Sequence, residues 1–206
     1  MRIFTGMGPN PRVVAIFAAE KGADIASVEV DLMAGENRQE EHLARNPSGQ
    51  LPSLELDDGA YLSEITAICE YLDETVGGDS LIGATAEERG ETRMWVRRID
   101  LNIVEPLTTG FRGAEGLSLF KDRMRTFPQA ADDLKAHAQE RLAWLEEQME
   151  SREFICGDRF SLADIMLYAF MEFGSAVGQG LDPKLERLQG WYARVAARPS
   201  IEASRS

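Results

Sequence analysis

The sequence predicts an α+β chain: a small mixed α/β domain at residues 1–76, a linker at 77–84 and an all-α, bundle-like domain at 85–206. Three observations predict it. Strand and helix patterns alternate only in the first third of the chain. The cluster Gly77-Gly78-Asp79-Ser80 then has the composition of a loop. Beyond it the strand signals stop, and capping signatures at Thr85 and Ser161 each open a helical apolar pattern.

Arg2 to Thr5 reads as a short strand, broken by Gly6-Met7-Gly8-Pro9. Asn10 fits an N-cap and Pro11 the first helical position, where a missing N–H costs nothing. Val13, Ile16 and Phe17 share one side of this helix, and Gly22 stops it. Ser27 to Asp31 alternates as a half-buried strand does. A β-α-β unit with parallel strands and a right-handed crossover is expected. The polar stretch Gly35 to Arg45 is expected to hold a short, irregular helix. Ser53 to Leu56, Asp57-Asp58-Gly59 and Ala60 to Leu62 read as a hairpin, because Asp-Gly between apolar runs favours the left-handed turn. A helix is expected from about Glu64 to Glu74, with Ala67, Ile68, Tyr71 and Leu72 facing inward. The order β-α-β-α-β-β-α is that of a thioredoxin-like half-domain.

In the second part, Thr85 to Glu88 forms a capping box for a long helix running to about Phe111, with Pro106 as a kink. Leu134, Ala138, Leu142, Leu145 and Met149 recur at spacings of three and four, which predicts an amphipathic helix. Ser161-Leu162-Ala163-Asp164 opens an apolar helix to about Gly174. Asp182-Pro183 opens a last one, ending near Arg198-Pro199.

The chemistry concentrates in Asn46 to Gly59 and in Ser63-Glu64. Pro52 begins a strand and is tolerated there at an edge, at a sharp turn into the strand, or as a cis bond. A cis bond would turn the N–H and C=O of Leu51 away from the sheet, where an extended peptide can pair with them as an added strand. Glu64 stands at a helix start, where N–H groups and the helix dipole hold anions. Its carboxylate accepts from an ammonium while the free N–H groups take a carboxylate. One spot therefore suits the zwitterionic head of an α-amino acid.

These residues resemble the glutathione transferase pattern of Asn-Pro-x-Gly-x-x-Pro-x-Leu, Asp-Asp-Gly and Glu-x-x-Ala-Ile-x-x-Tyr-Leu. The matching positions run from Asn46, Pro47, Gly49, Pro52 and Leu54 through Asp57-Asp58-Gly59 to Glu64, Ala67, Ile68, Tyr71 and Leu72. Gly157-Asp158 and Phe160 to Asp164 resemble the family's capping box and hydrophobic staple. Gly8 to Val14, with Glu20-Lys21-Gly22, is similar to bacterial and fungal members related to the yeast enzymes. The resemblance implies glutathione as co-substrate, a small hydrophobic electrophile, and a homodimer engaged in detoxification. It implies that the Leu51 backbone binds the cysteinyl part beside Pro52, that Glu64 and the Ile65 N–H hold the γ-glutamyl head, and that Arg38 or Gln50 reaches the glycyl carboxylate. Arg38 fits a solvated helix charge equally well. A glutathione-dependent isomerase or peroxidase, or a binding or regulatory protein without turnover, would share the same site.

Two positions depart from the family pattern. Ile65 replaces the hydroxyl residue that many members carry after the glutamate. The first strand lacks the Tyr, Ser or Cys that often holds the thiolate. Thr5, Asn10 and the first-turn N–H groups around Arg12 are the candidates for that role. Asn10 can donate its amide to sulfur, cap the helix, or do both. Yeast-like members are thought to use a water held by the helical domain, with a histidine. The corresponding stretch Thr108 to Gly113 has no histidine, leaving Arg112 or a threonine.

Composition narrows the classes further. The 206 residues carry 35 acidic and 22 basic side chains, a formal charge of −13, which repels nucleic acid and anionic membranes. No apolar segment follows Met1, so no signal peptide is expected, and no run is long enough to span a bilayer. Cys69 and Cys156 sit in apolar patterns without a CxxC, which fits a reducing cytoplasm and a core role. Two isolated histidines, His42 and His137, give no metal site. Trp95, Phe111 and Phe120 fit either core packing or the lining of an apolar electrophile site.

Overall fold

The computed structural model describes residues 1–205, and their contacts divide into two units: residues 1–82 with 198–205, and residues 83–197. The first unit contains a four-stranded mixed sheet in the order β2-β1-β3-β4, where β1 is Arg2–Thr5, β2 Ala26–Glu29, β3 Ser53–Glu55 and β4 Tyr61–Ser63. β1 runs parallel to β2 and antiparallel to β3, with Phe4 opposite both Val28 and Ser53. The β3–β4 hairpin closes as expected: the Leu56 N–H donates to Ala60 O (2.8 Å), the Ala60 N–H donates to Asp58 Oδ1 (2.9 Å), and Gly59 takes φ 86°.

Helix α1 (Pro9–Lys21) packs on α3 (Ile65–Thr75), burying Val13, Val14, Ile16 and Phe17 on one side and Ile68, Cys69 and Leu72 on the other. Gly22 ends α1 in the left-handed conformation, and the next N–H, of Ala23, closes on Ala18 O (2.9 Å). The α1 start differs from expectation. Gly8 (φ 124°) precedes the helix and Pro9 takes the first position, so Asn10 is the second helical residue and caps nothing. Of the two prolines suited to a helix start, the earlier one is used, because the glycine before it adopts the open conformation that the chain needs there. Ala67 is exposed rather than inward, because the buried stripe of α3 runs through Ile68, Cys69 and Leu72.

The polar stretch forms a 3₁₀ turn at Glu36–Arg38 and then α2 (Glu40–Arg45). The ion pair of Lys21 with Asp73 (3.3 Å) is buried, and Asp73 also accepts the Leu81 N–H (2.8 Å), tying the segment after α3 to this unit. At the other end of the chain, α10 (Pro199–Ala203), which sequence patterning does not resolve, packs on α1. Arg198 pairs with Glu20, and Arg12 donates to Ser204 Oγ (2.6 Å), Ser204 O (3.0 Å) and Ile201 O (3.0 Å).

The second unit is helical: α4 (Ala86–Ile99), α5 (Glu105–Gly113), α6 (Leu117–Phe120), α7 (Ala131–Gln148), α8 (Leu162–Ala176) and α9 (Glu186–Ala196). Thr85 caps α4 with the expected box, the Glu88 N–H donating to Thr85 Oγ1 (3.2 Å) and the Thr85 N–H to Glu88 Oε2 (3.4 Å). The long helix is interrupted by a π-helical turn at Asp100–Val104, just before Pro106. Proline has no N–H for the carbonyl four residues back and its ring crowds that carbonyl, so the preceding turn widens. α8 is buried along nearly its whole length, from Leu162 to Met171, and forms the centre of this unit. α9 starts later than Asp182, because Asp182 makes a turn instead, accepting the Lys184 N–H on Oδ1 (2.9 Å) and the Leu185 N–H on its carbonyl (3.0 Å). No helix among the described residues is long and apolar enough to cross a membrane.

Candidate functional site

In the first unit, Asn10, Asn46, Gln50, Leu51, Pro52, Glu64 and Ile65 line an open cleft of about 260 Å³. Its floor is the loop before β3. Gly49 takes φ 64°, and a Cβ there would meet Asn37 O at 3.1 Å and Leu43 Cδ2 at 3.2 Å, so a larger residue would be strained in its backbone and would have to displace these neighbours. Asn37 Nδ2 donates to Gly49 O (2.6 Å), while Asn46 Nδ2 (2.9 Å) and His42 Nε2 (3.1 Å) both reach Gln50 O. Asn46 Oδ1 accepts from the N–H (3.1 Å) and Oγ (2.8 Å) of Ser48. The Leu51–Pro52 peptide is cis, and the β1–β3 ladder begins only at Ser53, so the N–H and C=O of Leu51 lie outside the sheet.

Glu64 forms one wall. It precedes α3 with φ 71° and ψ 121°, and is the one non-glycine among the described residues with positive φ. Such a conformation costs an L-residue about 1–3 kcal/mol and clusters at ligand sites. Its carboxylate is exposed and caps no N–H of α3. The helix start therefore keeps both an acceptor, the carboxylate, and donors, the first-turn N–H groups.

The third contribution is the start of α1. Of its first three residues, Pro9, Asn10 and Pro11, only Asn10 has an N–H, and the Arg12 N–H is already bonded to Gly8 O (3.3 Å). Asn10 thus brings both a backbone N–H and a side-chain amide to the cleft, and the amide makes no hydrogen bond among the described residues.

The residues expected in the site separate into two groups. Asn10, Gln50, Leu51, Pro52, Glu64 and Ile65 come together in the cleft, whereas Thr5, Arg12 and Arg38 are absent from its lining. Thr5 ends β1, and its carbonyl accepts the Val30 N–H (2.8 Å). Arg12 holds the C-terminal segment with its side chain and Gly8 with its N–H, so neither is directed to a thiol. Arg38 is exposed, with its Cδ 3.3 Å from where a Gly49 Cβ would stand. Asn37 and His42 were not recognised from sequence. Both look like solvated polar residues there, because nothing local signals that their partners lie 12 and 8 residues on.

The other candidates are committed elsewhere. Thr108 Oγ1 donates to Val104 O (2.8 Å), Thr109 Oγ1 donates to Glu105 Oε1 (2.8 Å), and Arg112 lies over the Phe120 ring (5.8 Å). Cys69 is fully buried, and burial, with Asp73 and Glu70 nearby, pushes its thiol well up. Burial also raises Cys156. Trp95 is buried and packs on Trp144 (6.0 Å), whereas Phe111 is half-buried between Phe120 (6.1 Å) and Phe173 (4.9 Å).

The N-terminal domain model of glutathione S-transferases matches residues 1–74, and the C-terminal domain model matches residues 112–199. Glutathione S-transferase 2 of Saccharomyces cerevisiae is 34% identical over 205 residues, covering 96% of this chain and 86% of the relative. GstA of Escherichia coli O157:H7 is 29% identical over 204 residues, covering 98% and 96%. Among solved structures, a glutathione S-transferase domain-containing protein of Marinobacter aquaeolei superposes with a TM-score of 0.90 at 39% identity, covering 98% of this chain and 100% of the other. The cleft, the fold and these matches agree, and the chain belongs to the glutathione S-transferase family.

Proposed function

We propose that this protein is a glutathione transferase that joins the thiolate of glutathione to a small hydrophobic electrophile. One observation carries the reading: Asn10, Leu51, Glu64 and Ile65, from three separate elements, face one cleft. The cysteinyl part of the peptide pairs with the N–H and C=O of Leu51 as an added strand. The γ-glutamyl ammonium binds the Glu64 carboxylate, and its carboxylate takes the Ile65 N–H. Gln50, which lines the cleft, serves the glycyl carboxylate, and Arg38, outside the lining, is the alternative. The sulfur then lies against Asn10.

A free thiol has a pKa of about 8.5, so ionisation near pH 7 needs a drop of one to two units, about 1.4–2.7 kcal/mol. The two donors of Asn10 and the α1 dipole are the means. The thiolate sulfur forms a bond to the electrophilic carbon. Either a leaving group departs with its electron pair, or an activated double bond takes up a proton from solvent. A homodimer in the cytoplasm is part of the same proposal, and a monomeric mass in solution scattering would remove that part.

Calorimetry of glutathione binding and the ultraviolet absorbance of the bound thiolate test the reading. Glu64→Gln is expected to weaken binding tenfold or more, since a hydrogen bond to a charged group contributes about 1.5–3 kcal/mol. Asn10→Ala is expected to raise the bound thiol's pKa by about one unit, about 1.4 kcal/mol, with little change in affinity. Glutathione bound with no drop in thiol pKa would favour a binding protein without turnover. A protein that neither binds glutathione nor conjugates any of a broad electrophile panel would overturn the reading.

A further inference from the structure

His42 lies on α2 with its ring buried, 2% exposed, and Nε2 3.1 Å from Gln50 O. A carbonyl only accepts, so Nε2 carries a hydrogen, and in a neutral ring that leaves Nδ1 as a bare lone pair. Nδ1 is buried and has no partner among the described residues. An apolar ring would avoid that desolvated atom, so fold stability alone does not favour histidine here.

The bond does something specific. Gln50 O receives two buried donors, His42 Nε2 and Asn46 Nδ2, which hold it toward the interior. That carbonyl shares a peptide plane with the Leu51 N–H. The plane is trans, since the one cis bond among the described residues is Leu51–Pro52. In a trans peptide the C=O and N–H point in opposite directions. Pinning the Gln50 carbonyl inward therefore aims the Leu51 N–H outward, on the side of the cleft that Leu51 lines.

We propose that His42 is a positioning residue for the peptide substrate, acting through the Gln50–Leu51 peptide plane to orient the N–H that the cysteinyl part of glutathione accepts. This rests on the glutathione reading above. His42→Phe removes the donor and keeps the bulk, while His42→Gln restores an N–H donor at similar reach. The dissociation constant and KM for glutathione are expected to rise about five- to tenfold in His42→Phe. Its kcat at saturating glutathione should stay within twofold, and its melting temperature should not fall. His42→Gln should return affinity to within twofold of wild type.

Equal affinity in wild type and His42→Phe overturns the inference, and so does equal weakness in His42→Phe and His42→Gln, which would assign the effect to packing. A wild-type protein that binds no glutathione removes the underlying reading itself, a distinct result. Should His42→Phe not fold, nitrogen NMR of the wild-type ring decides: Nε2 must be protonated and Nδ1 bare, and the opposite tautomer overturns the assignment.

Discussion

At the start of α8, Asp164 is fully buried and every donor around it is used. Its Oδ1 accepts the Ile155 N–H (2.8 Å) and the Trp191 indole N–H (2.9 Å), and its Oδ2 accepts the Ser161 N–H (3.0 Å) and Oγ–H (3.1 Å). At the start of α3, Glu64 is exposed, strained at φ 71°, and bonded to no N–H of its helix. Both are carboxylates beside a helix N-terminus, where the dipole favours negative charge. One is consumed by the fold and the other is left open. A carboxylate whose lone pairs are filled from within specifies structure; one held in an unfavourable conformation with its lone pairs free is available to a ligand.

The sharpest way to break this contrast is to remove each carboxylate and compare stability. Asp164→Ala strands three buried N–H groups and is expected to cost about 3–5 kcal/mol in denaturant unfolding. Glu64→Ala is expected to stay within about 0.5 kcal/mol of wild type, as exposed substitutions do, while losing glutathione affinity. Comparable losses of stability from the two would erase the distinction.

Acid offers a second test. Burial raises the Asp164 pKa from 3.8 to about 6, against the pull of the Ile155, Trp191 and Ser161 hydrogen bonds, which lower it. Between pH 4 and 6 the folded protein therefore holds a proton that the unfolded chain has lost. Stability from this group is greatest below about pH 4 and declines as pH rises to about 6, by on the order of 3 kcal/mol in total. The gap in unfolding free energy between wild type and Asp164→Asn should accordingly be wider at pH 5 than at pH 7. A gap that narrows on acidification would mean that the four hydrogen bonds outweigh burial.

The two helix starts were also unequally legible in the sequence. The α8 box and the Thr85–Glu88 box are local patterns, with donor and acceptor three residues apart, and they appear where the spacing puts them. The Asp58-Gly59 turn and the Gly22 stop are equally local. The Asp164 bond to Trp191 spans 27 residues, and nothing in either segment announces it. In the cleft, the proline, the glutamate and the asparagine could be picked out as residue types. The buried side chains beneath them, Asn37 and His42, could not, because their role lies in the acceptors they meet. Of the two roles open to Asn10, the cap is not realised, because Gly8 and Pro9 start the helix; its amide does face the cleft, and the prolines on either side also leave it the only N–H among the first three helical residues, which residue type alone does not announce. Arg12 shows the reverse, since the first-turn N–H groups around it read as part of a site, whereas its own N–H is bonded to Gly8 O and its side chain binds the C-terminal segment.

The smallest effect tests the strain at Glu64 directly. Glutamate at φ 71° and ψ 121° carries about 1–3 kcal/mol of conformational cost, whereas glycine occupies positive φ without a Cβ clash. Glycine also loses more freedom on folding, about 0.5–1 kcal/mol. Glu64→Gly should thus be neutral to about 2.5 kcal/mol more stable than wild type, and more stable than Glu64→Ala, which keeps the strain. Both should bind glutathione at least tenfold more weakly than wild type. Thermal unfolding of the three proteins separates the contributions, because alanine and glycine lose the same carboxylate and differ only at the backbone. Glu64→Gly less stable than Glu64→Ala would mean that the conformation is not strained. The open carboxylate would then be a surface residue like any other, and the contrast with Asp164 would reduce to burial.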